Sequence, residues 1–302
     1  MPIPAGELAA LVTAVCWSFT ALLFSYGGRR VGSQVVNRSR LLFALGLLMA
    51  AHRLLEGRLL PLDAPAWRWG WLGLSALLGL VIGDAALFQA YVLIGPRLGM
   101  LLMASVPIWS TLAAWPAFGE TVSPREGLGI GLTVAGLAWV LTEPKAGPTP
   151  SPEARRDLLL GIGLGLVGAL GQAGNLIVAK LGMAGGFPPI SATLMRVIVA
   201  LALLWGLSAL RGEMRTILGR WRDRAALTAI LAGTFVGPFI GVWMSLYAVQ
   251  AGRVGIAATL MALPPVLLIP LERLIHGSRV SRRGLVGTLL AFGGVALILL
   301  PG

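Results

Sequence analysis

The chain contains ten apolar runs, each about long enough to cross a membrane as a helix. The hydrocarbon core of a bilayer requires about 17–25 apolar residues in helical form. Composition agrees, because 57% of the 302 residues are hydrophobic, 12% are charged and the mean hydropathy is +0.85. The sequence therefore predicts an all-α polytopic membrane protein with ten transmembrane helices. The predicted spans are 7–26, 35–52, 69–93, 97–118, 127–142, 158–180, 190–210, 225–250, 254–275 and 284–300.

A polar segment in the middle of the chain, residues 143–157, separates the first five runs from the last five. Its Pro, Ser and charged residues are typical of a linker. We therefore predict two units, one over residues 1–142 and the other over residues 158–302.

The two halves are similar to each other in sequence. A shift of 158 residues aligns LMASVP (102–107) with LMALPP (260–265), and a shift of 156 aligns Arg40 with Arg196. Such matches of Pro and Arg in the same order indicate a duplicated five-helix unit. Because each unit has an odd number of spans, the second copy enters the membrane from the opposite side. Inverted repeats of this kind are typical of secondary transporters, with the substrate site near the midplane.

Charge patterning bears on the orientation of the chain. The loops 211–224 and 279–283 are rich in arginine. The positive-inside rule places them in the cytoplasm and both termini outside. The loops of the first half are closer to balanced and do not decide the question.

Segment 94–123 and the two arginines Arg40 and Arg196 resemble the drug/metabolite transporter superfamily, specifically its ten-helix EamA-type exporters. The resemblance implies export of amino acids, other small metabolites or xenobiotics. It also implies cytoplasmic termini, contrary to the charge pattern, so the orientation stays open. Ser278 departs from the family pattern, which often has Glu there, so any role of Glu120 is not duplicated.

Asp84 is the single acid in the apolar stretch 81–95. A carboxylate in hydrocarbon costs roughly 2.5–3.5 kcal/mol, so it requires a partner or a task. Counted from the loop near residue 60, Arg40 and Asp84 are about 20 and about 24 residues away, which is about the same depth at ~1.5 Å per residue. We predict a contact between them, direct or through water. It is either a structural ion pair or a site where Arg40 holds a substrate carboxylate and Asp84 responds to a proton or an amine.

Further residues are predicted to face the cavity between the halves. Phe88 and Tyr91 share the helix face of Asp84. Polar groups in the first span of each half bind either a neighbouring helix or a ligand. The full set of candidates for substrate binding or coupling is Asp84, Arg40, Trp17, Ser18, Phe88, Tyr91, Gln172, Asn175 and Arg196.

Two prolines, Pro107 and Pro265, occupy equivalent positions in spans four and nine. Proline removes a backbone donor, so each span is expected to be kinked or locally unwound there. Such matched interruptions either shape the helix bundle or line the binding region.

An enzyme is not expected, since two His, one Cys and scattered acids offer neither metal-ligand spacing nor a nucleophile motif. We therefore predict no cofactor and no metal. The net charge of +12 lies mainly between the spans, where it suits lipid head groups rather than nucleic acid. The expected partners are a small-molecule substrate and membrane lipids, and the chain is expected to act as a monomer.

These observations favour a secondary active transporter of the inner membrane. It would export amino acids or similar small metabolites or drugs by alternating access, with proton coupling left open. The alternative is an uncoupled facilitator or channel for small solutes. A scaffold or sensor is disfavoured, because the sequence predicts no extramembrane domain through which to signal.

Overall fold

A computed structural model describes residues 3–142, 152–264, 266–267 and 282–299. Within these ranges all regular structure is helical, and two short π-helical segments interrupt the α-helices. The elements are α1 (Ala5–Val31), α2 (Ser33–Glu56), α3 (Ala66–Ala76), π1 (Leu77–Gly83), α4 (Asp84–Met103), α5 (Val106–Phe118), α6 (Pro124–Leu141), α7 (Pro152–Gly182), α8 (Pro189–Leu210), α9 (Met214–Arg220), α10 (Arg224–Thr234), π2 (Phe235–Gly241), α11 (Val242–Ala251), α12 (Val254–Met261) and α13 (Arg282–Leu299).

The all-helical class is confirmed for the described residues, which include five helices long and apolar enough to cross a membrane. They correspond to predicted spans one, three, six, seven and eight, so the count of ten spans stays a prediction. These five stretches are Ala5–Val31, Ala66–Leu87, Arg155–Gly182, Pro189–Leu210 and Arg224–Ala251.

The predicted linker is too long at its C-terminal end. Helix α7 begins at Pro152, so residues 152–157 are helical rather than part of a connection. Proline suits the first turn of a helix because its missing N–H would have no intrahelical partner there. Residues 143–151 lie outside the described part of the chain.

The two π segments occupy equivalent positions in the two halves. The spacing equals the repeat shift, because 235 − 77 and 241 − 83 are both 158. π segments have i→i+5 hydrogen bonds and are rare, and they are frequently found at functional sites. Their matched placement indicates a feature of the repeated unit itself.

The first helix of each half packs against the π segment of the other half. We call the contact of α7 with π1 and α4 the polar crossing, and that of α1 with π2 and α11 the apolar crossing. Glycines allow the helix backbones to come close together at both crossings. A Cβ atom on Gly79 would lie 2.8 Å from Asn175 Cγ, and one on Gly237 would lie 2.5 Å from Thr20 Oγ1. Small residues at such contacts let helix backbones come close in a membrane.

Candidate functional site

The polar crossing is built around the buried carboxylate of Asp84, the first residue of α4. Arg40 of α2 forms an ion pair with its Oδ2 atom, so the contact predicted from helix depth is confirmed. Arg40 also donates from Nε to Asn37 Oδ1 at 2.9 Å. Asn37 lies one turn before Arg40 on α2 and helps to fix the direction of the guanidinium group.

The other oxygen of Asp84 faces the second half of the chain. Gln172 of α7 donates from Nε2 to Asp84 Oδ1 at 2.9 Å. Asn175 donates from Nδ2 to Gln172 Oε1 at 2.9 Å, and Arg196 of α8 donates from Nη2 to Asn175 Oδ1 at 2.6 Å. A continuous chain of hydrogen bonds therefore runs Arg40–Asp84–Gln172–Asn175–Arg196. We call these five residues the buried chain, and it joins the two halves.

The backbone around π1 brings these groups together. Gln172 Nε2 also approaches the Gly79 carbonyl at 3.4 Å, and Ser75 donates from Oγ to the Asn175 carbonyl at 2.9 Å. A Cβ atom on Gly171 would lie 2.7 Å from the Leu78 carbonyl oxygen, so only glycine allows this approach. Close contact between α7 and π1 thus brings the side-chain amides of Gln172 and Asn175 near the Asp84 carboxylate.

The buried chain runs along the helix axes as well as between them. Arg196 lies seven residues after the first residue of α8, which is about 10 Å at ~1.5 Å per residue. Arg40 lies sixteen residues before the last residue of α2, about 24 Å from that end. Since the end of α2 and the start of α8 belong to the same side of the bundle, the two arginines differ in depth by about 14 Å.

The two ends of the buried chain differ in exposure. Arg40 and Asp84 are each 8% exposed. Arg196 is 3% exposed, and its Nε atom has no hydrogen-bond partner among the described residues. All three residues are buried, and Arg196 is the most completely enclosed of them.

Trp17 and Ser18 are not members of the buried chain. Ser18 donates to the Ala14 carbonyl of its own helix at 2.8 Å. Trp17 packs at the apolar crossing, where a Cβ atom on Gly241 would lie 3.0 Å from the indole ring. Their role as cavity residues stays a prediction.

Four further predicted positions have different outcomes. Phe88 and Tyr91 belong to α4, but their side chains lie outside the described part of the structure, as does Pro265. Pro107 is the second residue of α5, and a turn at residues 104–105 separates α5 from α4. A break in the helix therefore lies within predicted span four, close to Pro107.

A second charged cluster closes one end of the bundle. Lys180 donates to Glu120 Oε1 at 2.6 Å and to the Gly252 carbonyl at 2.7 Å. The other Glu120 oxygen accepts from the Val254 amide at 2.7 Å. Sequence reasoning did not predict this cluster. The signal available was Glu120, which has no counterpart in the second half.

Sequence reasoning also missed that Gln172 and Asn175 connect the two arginines. It identified both amides as polar groups inside a span but offered no partner for them. The close glycines of π1 were the available signal, because they mark where another helix approaches.

Both halves of the chain match one known family. The sequence pattern of the EamA-like transporter family matches residues 4–142 and again residues 159–300. The chain belongs to this family. The resemblance inferred from segment 94–123 and the two arginines is therefore confirmed. As an EamA-like protein, the chain is a multi-pass membrane transporter of small solutes.

Two known proteins are similar to this chain. An uncharacterized protein of Pseudomonas aeruginosa is 33% identical over 266 residues, covering 86% of this chain and 82% of the relative. A crystal structure of another protein has a TM-score of 0.75 at 19% identity, covering 97% of this chain and 95% of that one. The second likeness shows that the two chains share a fold.

Proposed function

We propose that this EamA-family protein is a secondary active transporter of the inner membrane that exports amino acids or similar small metabolites by alternating access. In this proposal ten transmembrane helices form two inverted five-helix repeats, and the substrate binds where the repeats meet. The observation that carries the proposal is the buried chain from Arg40 to Arg196, because it links the repeats through polar groups.

Buried ionisable groups inside spanning helices support a transport role. Such groups are costly in a membrane, and they commonly mark a substrate or ion pathway. Hydrogen bonds across the repeat interface exchange partners with water or a solute more readily than close-packed aliphatic contacts do. The two halves therefore have a contact that a solute could open and remake during a cycle.

Asp84 is the proposed coupling residue. Its two oxygens accept hydrogen bonds from opposite halves, one from Arg40 and the other from Gln172. Protonation would remove the charge that attracts Arg40 and replace one acceptor with a donor. Loading a proton on Asp84 would thus loosen the link between the repeats, and losing it would restore the link.

The test uses the purified full chain in proteoliposomes with a panel of radiolabelled amino acids. We expect wild-type protein to catalyse counterflow and to accumulate a substrate only under a proton gradient. Asp84→Asn should keep counterflow and lose gradient-driven accumulation, since an amide cannot exchange a proton. Val242→Ala, at the equivalent position of the second half, is the matched control and should behave as wild type.

Two outcomes would contradict parts of this proposal. If solute flux through the wild-type protein does not depend on the proton gradient, the protein is better described as an uncoupled facilitator. An Asp84→Asn protein with unchanged gradient dependence and an unchanged pH profile would exclude the coupling role of Asp84.

A further inference from the structure

The buried chain carries more positive than negative charge. Among its five residues, two are arginines and one is an acid, and the remaining two are neutral amides. Arginine stays protonated in proteins, so the excess charge cannot be relieved by losing a proton. An uncompensated cation inside a membrane protein is costly, and a bound anion would offset that cost.

The excess charge belongs to Arg196 rather than to Arg40. Arg40 has the Asp84 carboxylate on Nη2 and the Asn37 oxygen on Nε. Arg196 has only the neutral oxygen of Asn175 on Nη2, and its Nε atom has no partner among the described residues. At 3% exposure, Arg196 has little access to bulk water that could replace the missing partner.

The guanidinium edge of Arg196 has the geometry that a carboxylate prefers. Nε and Nη2 lie side by side on one edge of the group, and this fork binds two oxygens of a planar anion at once. One prong now donates to Asn175 and the other is open. An incoming carboxylate would take both prongs by displacing the amide oxygen of Asn175.

We propose that Arg196 binds the carboxylate of the transported solute. This inference rests on the proposed function, because it assigns a substrate class to the same site. The carboxylate-binding role was predicted for Arg40, but its donors to Asn37 and Asp84 are already engaged, so we assign the role to Arg196 instead.

Binding at Arg196 would be transmitted to Asp84. Asn175 donates a hydrogen bond to Gln172, and Gln172 donates one to Asp84. An anion that displaces Asn175 from Arg196 frees the amide to turn, and Gln172 then loses its partner. Solute binding at Arg196 therefore changes the hydrogen bonding of the Asp84 carboxylate.

The experiment measures thermal unfolding of the purified full chain in nanodiscs with matched probes. Each amino acid in a panel is paired with its amide, which has the same side chain and amine but no carboxylate. We expect at least one acid to raise the melting temperature, while its amide does not. Sodium chloride and sodium phosphate at the same concentrations form the inorganic arm, and they should produce no shift.

Variants then locate the site. Arg196→Gln should weaken binding of the acid at least about tenfold, because it removes the paired charge. Arg196→Lys should retain part of the shift, since it keeps the charge and loses the fork. Asp84→Asn should tighten binding, because it removes the negative charge that competes with the ligand.

Arg38→Gln is the matched control. Like Arg196, Arg38 of α2 is buried, and its Nε atom has no hydrogen-bond partner among the described residues. Unlike Arg196, it forms an ion pair with an acid, Glu213, which compensates its charge. Loss of Arg38 should leave the shift caused by the acid unchanged. If Arg196→Gln does not fold, the Arg196→Lys and Asp84→Asn proteins still test the proposal in opposite directions.

The inference is overturned if acid and amide shift the wild type equally, if neither does, or if the inorganic anions match the organic acid. It is also overturned if Arg196→Gln keeps the preference for the acid. Counterflow separates this result from the proposed function. A protein that exchanges amides as well as acids is a transporter without the Arg196 subsite, whereas binding without exchange retains the subsite and rejects the transporter.

Discussion

At the polar crossing α7 packs against π1, and at the apolar crossing α1 packs against π2. The two crossings have the same backbone arrangement. Each π segment ends at a glycine that precedes the next α-helix, Gly83 in one case and Gly241 in the other. The residues that pack on these segments correspond through their contacts. Asn175 lies against Gly79 as Thr20 lies against Gly237, and Gln172 lies against Gly83 as Trp17 lies against Gly241.

The side chains at these equivalent positions differ in chemistry. Gln172 and Asn175 of the polar crossing correspond to Trp17 and Thr20 of the apolar crossing, and Asp84 corresponds to Val242. Thr20 bonds to the Cys16 carbonyl of its own helix at 2.8 Å. Close packing of this kind therefore does not require charge, since the apolar crossing achieves it without an acid or an amide at these positions.

The largest expected effect comes from removing the acid and its apolar counterpart in parallel. Asp84→Ala leaves Arg40 buried without its carboxylate and should lower the free energy of unfolding by about 3–5 kcal/mol. Val242→Ala removes two half-buried methyl groups and should cost about 1 kcal/mol. Denaturant titration in mixed micelles measures both. Equal losses would mean that the ion pair is no more important to stability than an ordinary packing contact.

The glycine pair tests whether only the polar crossing affects transport. Gly79→Ala and Gly237→Ala each place a methyl group against a neighbouring side chain and should cost about 1–3 kcal/mol. Gly79→Ala pushes on Asn175 within the buried chain, so solute exchange in proteoliposomes should fall at least about tenfold. Gly237→Ala pushes on Thr20 and should leave the exchange rate per folded molecule unchanged. An equal loss of exchange in both variants would contradict a special role for the polar crossing.

The smallest effect concerns an ion pair between Arg30, near the C-terminal end of α1, and Asp223, just before α10, at 2.8 Å. The hydrogen bond from the Ala226 amide and the contact with Arg30 lower the pKa of Asp223 below its ordinary value. Because the folded-state pKa is depressed, this stabilisation is present above the unfolded-state pKa and is lost as pH falls through the folded-state value.

Asp223→Asn keeps a side-chain oxygen for the helix cap and removes the charge. We expect its melting temperature to be slightly below that of the wild type near neutral pH and equal to it in acid, once the pH has fallen below the folded-state pKa of Asp223. The difference should shrink in high salt, since the pair is exposed. A difference that persists in acid would show that the side chain acts through its shape rather than its charge.

Sequence reasoning predicted the Arg40–Asp84 contact because two antiparallel helices joined by one loop fix relative depth. It did not predict how Gln172 and Asn175 connect to that pair. Their contacts depend on which helix of the other half lies nearby, and distance along the chain does not determine this. The π segments were also missed, because a local change to i→i+5 bonding leaves no periodic signature in an apolar run.

The matched π segments also bear on the history of the molecule. Two rare backbone irregularities separated by the repeat length are most simply inherited from one ancestral unit that already had one before duplication. Asp84 is found in one copy alone, so the acid was gained or lost after the copies separated. Two identical ancestral units would have carried two such acids or none. The present protein has one, and its two halves have become specialised parts that can no longer take each other's place.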